Sequence, residues 1–163
     1  MFYLYDIDKD GIPELIIISD DGKWENSSCD VFAYSNNAAR HIGSLNWDWF
    51  GLIGAPNDIT VGLYSDDSYK GHYGSLYYYN IQNGVLFEQL ICEYHFQPNA
   101  GREGYIRIYG EDGSIQSIVE DSDTEYAEDS TKARTLFNWT WFDFYSITEK
   151  NISDVIIGFD FLK

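Results

Sequence analysis

Turn signals recur roughly every ten residues along this chain, and the runs between them are too short and too rich in β-branched and aromatic residues to be helices. Asp-Gly stands in Asp20-Asp21-Gly22-Lys23 and in Glu111-Asp112-Gly113, and Asn-Gly in Gln82-Asn83-Gly84. Such dipeptides supply the positive φ that two-residue hairpin turns need. Strands are therefore expected at Leu15 to Ser19, Asp30 to Ser35, Ile42 to Phe50, Ile59 to Tyr64, Tyr73 to Ile81, Val85 to Phe96, Tyr105 to Tyr109 and Ser114 to Val119. Asn36 to Arg40, Gly51 to Asp58, Ser65 to Gly71 and Pro98 to Gly104 read as connections or polar turns. The expectation is one all-β domain over 1–163, mainly an antiparallel meander that forms a sandwich, a barrel or a curled sheet. With 163 residues, it is large enough to bury a genuine core.

The C-terminal third is less regular. Ser122 with Glu125 fits a capping box and Thr131 to Phe137 fits a helix, which predicts one short helix near 122–137. Aromatics alternate from Phe137 to Ile147. In the tail, Val155, Ile157, Phe159 and Phe161 fall on one face of a strand and Asp154 and Asp160 on the other.

The first twenty residues carry the clearest chemistry. Between the apolar runs Phe2 to Tyr5 and Leu15 to Ile18, carboxylates recur at Asp6, Asp8, Asp10 and Glu14, with Gly11 where the chain folds back. Calcium takes six to eight oxygens at roughly 2.3–2.6 Å, from carboxylates at alternate loop positions and one backbone carbonyl. On that count the ligands are the side chains of Asp6, Asp8, Asp10 and Glu14 and the carbonyl of Ile12. An EF-hand needs a Glu at loop position twelve, inside a helix. That position is Ile17, in a strand-forming run, so the motif reads as strand–loop–strand, a hairpin over 2–19. The bland alternative is a solvated acidic turn; three spaced Asp, a Gly at the right offset and the Glu favour metal.

The string Asp6-x-Asp8-x-Asp10-Gly11-x-x-Glu14-Leu15-x-Ile17 resembles the calcium loops of FG-GAP and VCBS-type β-propeller blades. With Pro13-Glu14-Leu15 it is also similar to the first hairpin of uncharacterised secreted proteins and lipoproteins of Gram-positive bacteria. The resemblance covers about twenty residues. It implies a structural Ca2+ outside the cytoplasm and no catalytic activity. The pattern occurs once, whereas a propeller repeats it, so one such hairpin inside a different β-fold is expected.

Charge narrows the partners. Ten Lys and Arg against 27 Asp and Glu give a net charge of -17, which repels phosphate backbones and anionic lipid. Nucleic acid and membrane insertion are therefore not expected, and the longest apolar run is far too short to span a bilayer. Met1 lies just before the first strand and leaves no room for a leader, so the chain is either cytoplasmic or a mature region with its export segment removed. The second is expected, because free Ca2+ is abundant outside cells and scarce inside. Cys29 and Cys92 are the only cysteines, and either a disulfide or two buried thiols satisfies the count.

Other candidates are weaker. Asp121, Asp123 and Glu125 lack a Gly at the needed offset, and with Asp66 and Asp67 they read as solvated acidic loops. His41, His72 and His95 have no zinc-ligand spacing. The sequons at Asn26, Asn138 and Asn151 are common by chance. Trp47 with Trp49, Trp139 with Trp141, and Tyr77-Tyr78-Tyr79 are core packing or a stacking surface for sugars. With 14 Tyr, 10 Phe and 5 Trp, a domain of this size hardly buries them all, and an exposed aromatic patch implies a partner. The expected function is an extracytoplasmic, calcium-stabilised binding or structural module that meets a glycan or cell-surface protein through aromatics. The alternative is a carbohydrate-active enzyme using a carboxylate pair.

Overall fold

A computed structural model describes residues 1–19, 28–46, 53–57, 61–69, 73–95, 104–121 and 137–160. The first sheet contains β1 (Phe2–Tyr5), β2 (Glu14–Ser19), β3 (Ser28–Ser35) and β4 (Ala38–Ser44). The second contains β5 (Ile53–Pro56), β6 (Leu63–Tyr69), β7 (Tyr73–Gln82), β8 (Val85–His95), β9 (Gly104–Tyr109), β10 (Ile115–Asp121) and β11 (Trp139–Trp141), and one helix, α1 (Glu149–Asp160), follows. Strand order is β1-β2-β3-β4 in the first sheet and β10-β9-β8-β7-β6-β5-β11 in the second, every pairing antiparallel. The fold is all-β and a meander in both sheets, and only β11 departs from sequential order.

Of the three architectures the pattern allowed, the packing selects a sandwich. Ile16, Ile18, Val31 and Ile42 of the first sheet share one buried cluster with Ile53, Leu63 and Tyr79 of the second. Burying apolar side chains from both inner faces is what holds two such sheets together. The sheets come close where Gly43 of β4 meets Leu86 of β8; a Cβ on Gly43 would lie 2.8 Å from that leucine. A second cluster, with Tyr64, Leu76, Cys92, Tyr94, Ile106 and Trp139, covers the other face of the seven-stranded sheet. The segment after β11 fastens the edges: Phe142 N–H donates to Ile53 O at 2.8 Å, and Phe2 and Tyr145 exchange both backbone bonds.

The β7–β8 hairpin forms as its Asn83-Gly84 dipeptide demands, with both residues left-handed at φ 56° and 72°. Elsewhere the structure corrects the reading. The connection expected over Asn36 to Arg40 is only Asn36-Asn37, left-handed at 52° and 62°, and β4 already begins at Ala38 and ends at Ser44. Gly51 to Asp58 is not all loop: Ile53–Pro56 is β5, held between β6 and β11. Gly54 permits close approach within it, since a Cβ there would lie 2.4 Å from the Thr140 carbonyl oxygen. The polar turn expected from Ser65 is the body of β6, because its polar groups find partners. Ser65 Oγ donates to Asn46 O at 2.6 Å, and Asp66 accepts from Tyr94 Oη at 3.0 Å. Asp66 is thus fully buried, not solvated.

The tail is a helix, not a strand. Thr148 caps it, accepting the Asn151 N–H on its Oγ1 at 3.1 Å, while its carbonyl takes the Ile152 N–H. Glu149 sits in the positive first turn, and Lys150 pairs with Asp154 one turn on. In sequence Ile152, Val155, Ile156 and Phe159 also fit a helical spacing, so the two periods compete and the cap decides. The short helix expected near 122–137 falls almost entirely outside the described residues, as do Trp47, Trp49, Asp123 and Glu125. No helix among the described residues is long and apolar enough to cross a membrane.

Candidate metal centre

The acidic loop joins β1 to β2, whose pairing closes with Tyr5 opposite Glu14. Lys9 and Gly11 are left-handed at φ 61° and 90°. No atom lies within 4 Å of a Cβ added to Gly11, so its backbone alone requires glycine. Lys9 bears the cost of an L-residue in that region, while its ammonium rests 4.0 Å from the centroid of the Tyr5 ring.

The aspartates wrap the loop's own N–H groups. Asp6 Oδ1 accepts from Asp10 N at 3.1 Å and Oδ2 from Gly11 N at 3.0 Å. Asp8 Oδ1 accepts from Asp10 N at 3.3 Å, and Asp10 Oδ1 from Ile12 N at 2.7 Å. Glu14 is 3% exposed, and its Oε2 accepts the buried Ile7 N–H at 2.9 Å. Its Oε1 has no donor among the described residues.

Asp6, Asp8 and Glu14 come together: each offers a carboxylate oxygen, and these oxygens lie within 4.8 Å of one another. Oxygens on opposite sides of a Ca2+ ion stand about 4.6–5.2 Å apart, twice the bond length, so one ion fits the three. Asp10 is not in this group; its carboxylate turns to the Ile12 N–H, and the Ile12 side chain is exposed. Among the described residues no Lys, Arg or His pairs with any of the four loop carboxylates. Burial, opposed by the Ile7 N–H and reinforced by Asp8, Asp10 and Asp6, pushes the Glu14 carboxyl up to about 7. Such a donor set is hard, anionic and short of positive charge, and a divalent cation answers all three properties.

Other expected features separate. Trp139 and Trp141 share a face with ring centroids 4.7 Å apart; the first is buried and the second exposed. Tyr79 is fully buried, its hydroxyl accepting from Asn46 N at 2.7 Å and donating to Glu88 at 3.1 Å. Tyr73, His95 and Tyr105 form a cross-strand row whose rings stack on one another, with the Arg107 guanidinium 4.1 Å over Tyr105. Their faces are turned to each other, so this row is a ladder and not a flat platform for a sugar. Cys29 and Cys92 are free thiols buried in different clusters.

Two polar centres escaped the sequence reading. Asp30 gathers Ser44 Oγ at 2.6 Å, Ser28 Oγ at 2.9 Å and His41 Nε2 at 3.2 Å, and these bonds, Ser44 foremost, hold its carboxyl below the usual range. Asp66 with Tyr94 is the other. Neither follows a spacing motif; only an outward place on a strand marks Asp30, and nothing local marks Asp66. The chain matches no family model, no curated protein and no solved structure.

Proposed function

We propose that this chain is an extracytoplasmic, calcium-stabilised module without catalytic activity, and that it recognises a glycan or a cell-surface protein through exposed aromatics. The observation that carries the calcium reading is the Glu14 carboxylate, buried at the mouth of a hairpin beside Asp6 and Asp8 with one oxygen unused. Gathering like charges there costs energy unless a cation joins them. Ca2+ removes that repulsion and locks the hairpin. Free calcium is plentiful outside cells and scarce inside, which supports an extracytoplasmic setting for such a module. Tyr34, Trp141 and Tyr145 are each more than two-fifths exposed and supply aromatic surface for a partner.

Thermal unfolding against added CaCl2 tests the reading. Binding to the folded state alone adds about 2.7 kcal/mol at a hundredfold excess over Kd. The melting temperature of the wild type should climb with millimolar Ca2+, and that of Asp8→Ala/Asp10→Ala should stay flat. A wild type indifferent to calcium sinks the proposal.

A further inference from the structure

The acidic loop reaches the opposite sheet through Ile7. Ile7 lies between Asp6 and Asp8, and its side chain is fully buried in the core between the sheets. Its N–H donates to Glu14 at 2.9 Å, and its carbonyl accepts the N–H of Gly62 at 2.7 Å. Gly62 directly precedes β6, which lies between β5 and β7 in the second sheet. Its backbone is confined: φ is +92°, and a Cβ would lie 2.4 Å from the Tyr78 ring.

The Ile7 N–H belongs to the peptide unit shared with Asp6, and the Ile7 carbonyl to the unit shared with Asp8. Holding both aspartates on one ion therefore fixes the two peptide planes that bond Glu14 and Gly62. Without the ion, the charges of Asp6 and Asp8, joined by that of Glu14 once its proton leaves above about pH 7, work against the arrangement that sets those planes. A turn of the Ile7–Asp8 plane would break the bond to Gly62. A ligand shifts an equilibrium only by its differential affinity for the two states, and this geometry supplies that difference.

We infer that the ion is a latch between the two sheets and not a clamp on the first hairpin alone, with Ile7 as the relay and Gly62 as its receiver. The inference rests on the calcium reading above.

Amide exchange on the 15N-labelled chain, in chelator and in millimolar CaCl2, tests it. The Gly62 amide should slow at least tenfold with calcium, and by more than the Ile106 amide in β9, which controls for a global gain in stability. In Glu14→Gln the side-chain carbonyl still accepts the Ile7 N–H, so the fold is kept while a ligand charge is lost. The Gly62 response should then vanish. If calcium shifts the Asp10 and Gly11 resonances saturably while Gly62 slows no more than Ile106, the latch is wrong and the calcium site stands. A full Gly62 response in Glu14→Gln also overturns the latch. If neither loop nor Gly62 responds, the calcium reading itself has failed.

Discussion

Glu14 Oε2 accepts the N–H of Ile7 at 2.9 Å, so the carboxylate that ends the acidic loop is buried against the backbone between the first two aspartates. Burial above all, and then the neighbouring aspartates, lift its ionisation from 4.5 to about 7. The folded, metal-free chain then holds a proton that the unfolded chain releases, and stability falls as pH rises between those values. In EDTA the wild type should unfold more easily at pH 7.5 than at pH 5, and Glu14→Gln should flatten that slope. With Ca2+ present the proton must leave for the ion, so the calcium-induced gain should grow through pH 7. Urea titrations at four pH values check both signs.

The Asp66–Tyr94 bond makes a second prediction. Tyr94→Phe removes a hydroxyl that donates to a fully buried carboxylate at 3.0 Å while leaving the ring in its cluster. A buried acceptor that loses a donor costs about 1–3 kcal/mol. Chemical denaturation of the Phe variant should show a loss in that range, with the calcium-induced shift unchanged because the bond lies away from the loop.

Much of this architecture was legible because it is local. Asn83-Gly84 carries the backbone conformation of its own turn, and the spacing of Asp6, Asp8 and Glu14 places three oxygens within reach of one ion. What stayed hidden is set by residues far along the chain. Gly54 is a strand residue because Thr140 approaches it, Ser65 because Asn46 satisfies it, and Asp66 because Tyr94 does. Ile7 reads as one more apolar residue until its carbonyl is seen on Gly62. Asp10 stands apart from the other three carboxylates of the pattern, its Oδ1 accepting the Ile12 N–H in an Asx bond that the spacing alone does not reveal.

The thiols should be silent. Burial pushes both up, Cys92 to about 12 with Asp66 and Glu93 adding to the effect, and Cys29 in the same direction with Asp30 adding to it. The thiolate is the reactive form, so neither should react with a disulfide reagent at pH 8 while the chain is folded. Two equivalents should react on unfolding, and reductant should leave the melting temperature unchanged. A native chain that titrates one fast thiol contradicts the packing.

Two glycine variants separate close approach from backbone conformation. Gly84→Ala meets no atom within 4 Å, but its φ of +72° is one that alanine adopts at a cost of about 1–2 kcal/mol. Gly54→Ala sets a methyl 2.4 Å from the Thr140 carbonyl and must push β11 off β5. Overpacking of this kind costs about 1–3 kcal/mol, and here the displaced atom is backbone in a strand whose following segment bonds Phe142 to Ile53 and Tyr145 to Phe2. Gly54→Ala should therefore lose more stability than Gly84→Ala, and it alone should speed amide exchange at Phe142 and Tyr145. Equal losses with no change at those amides would mean that the edge strand does not hold the two sheets together.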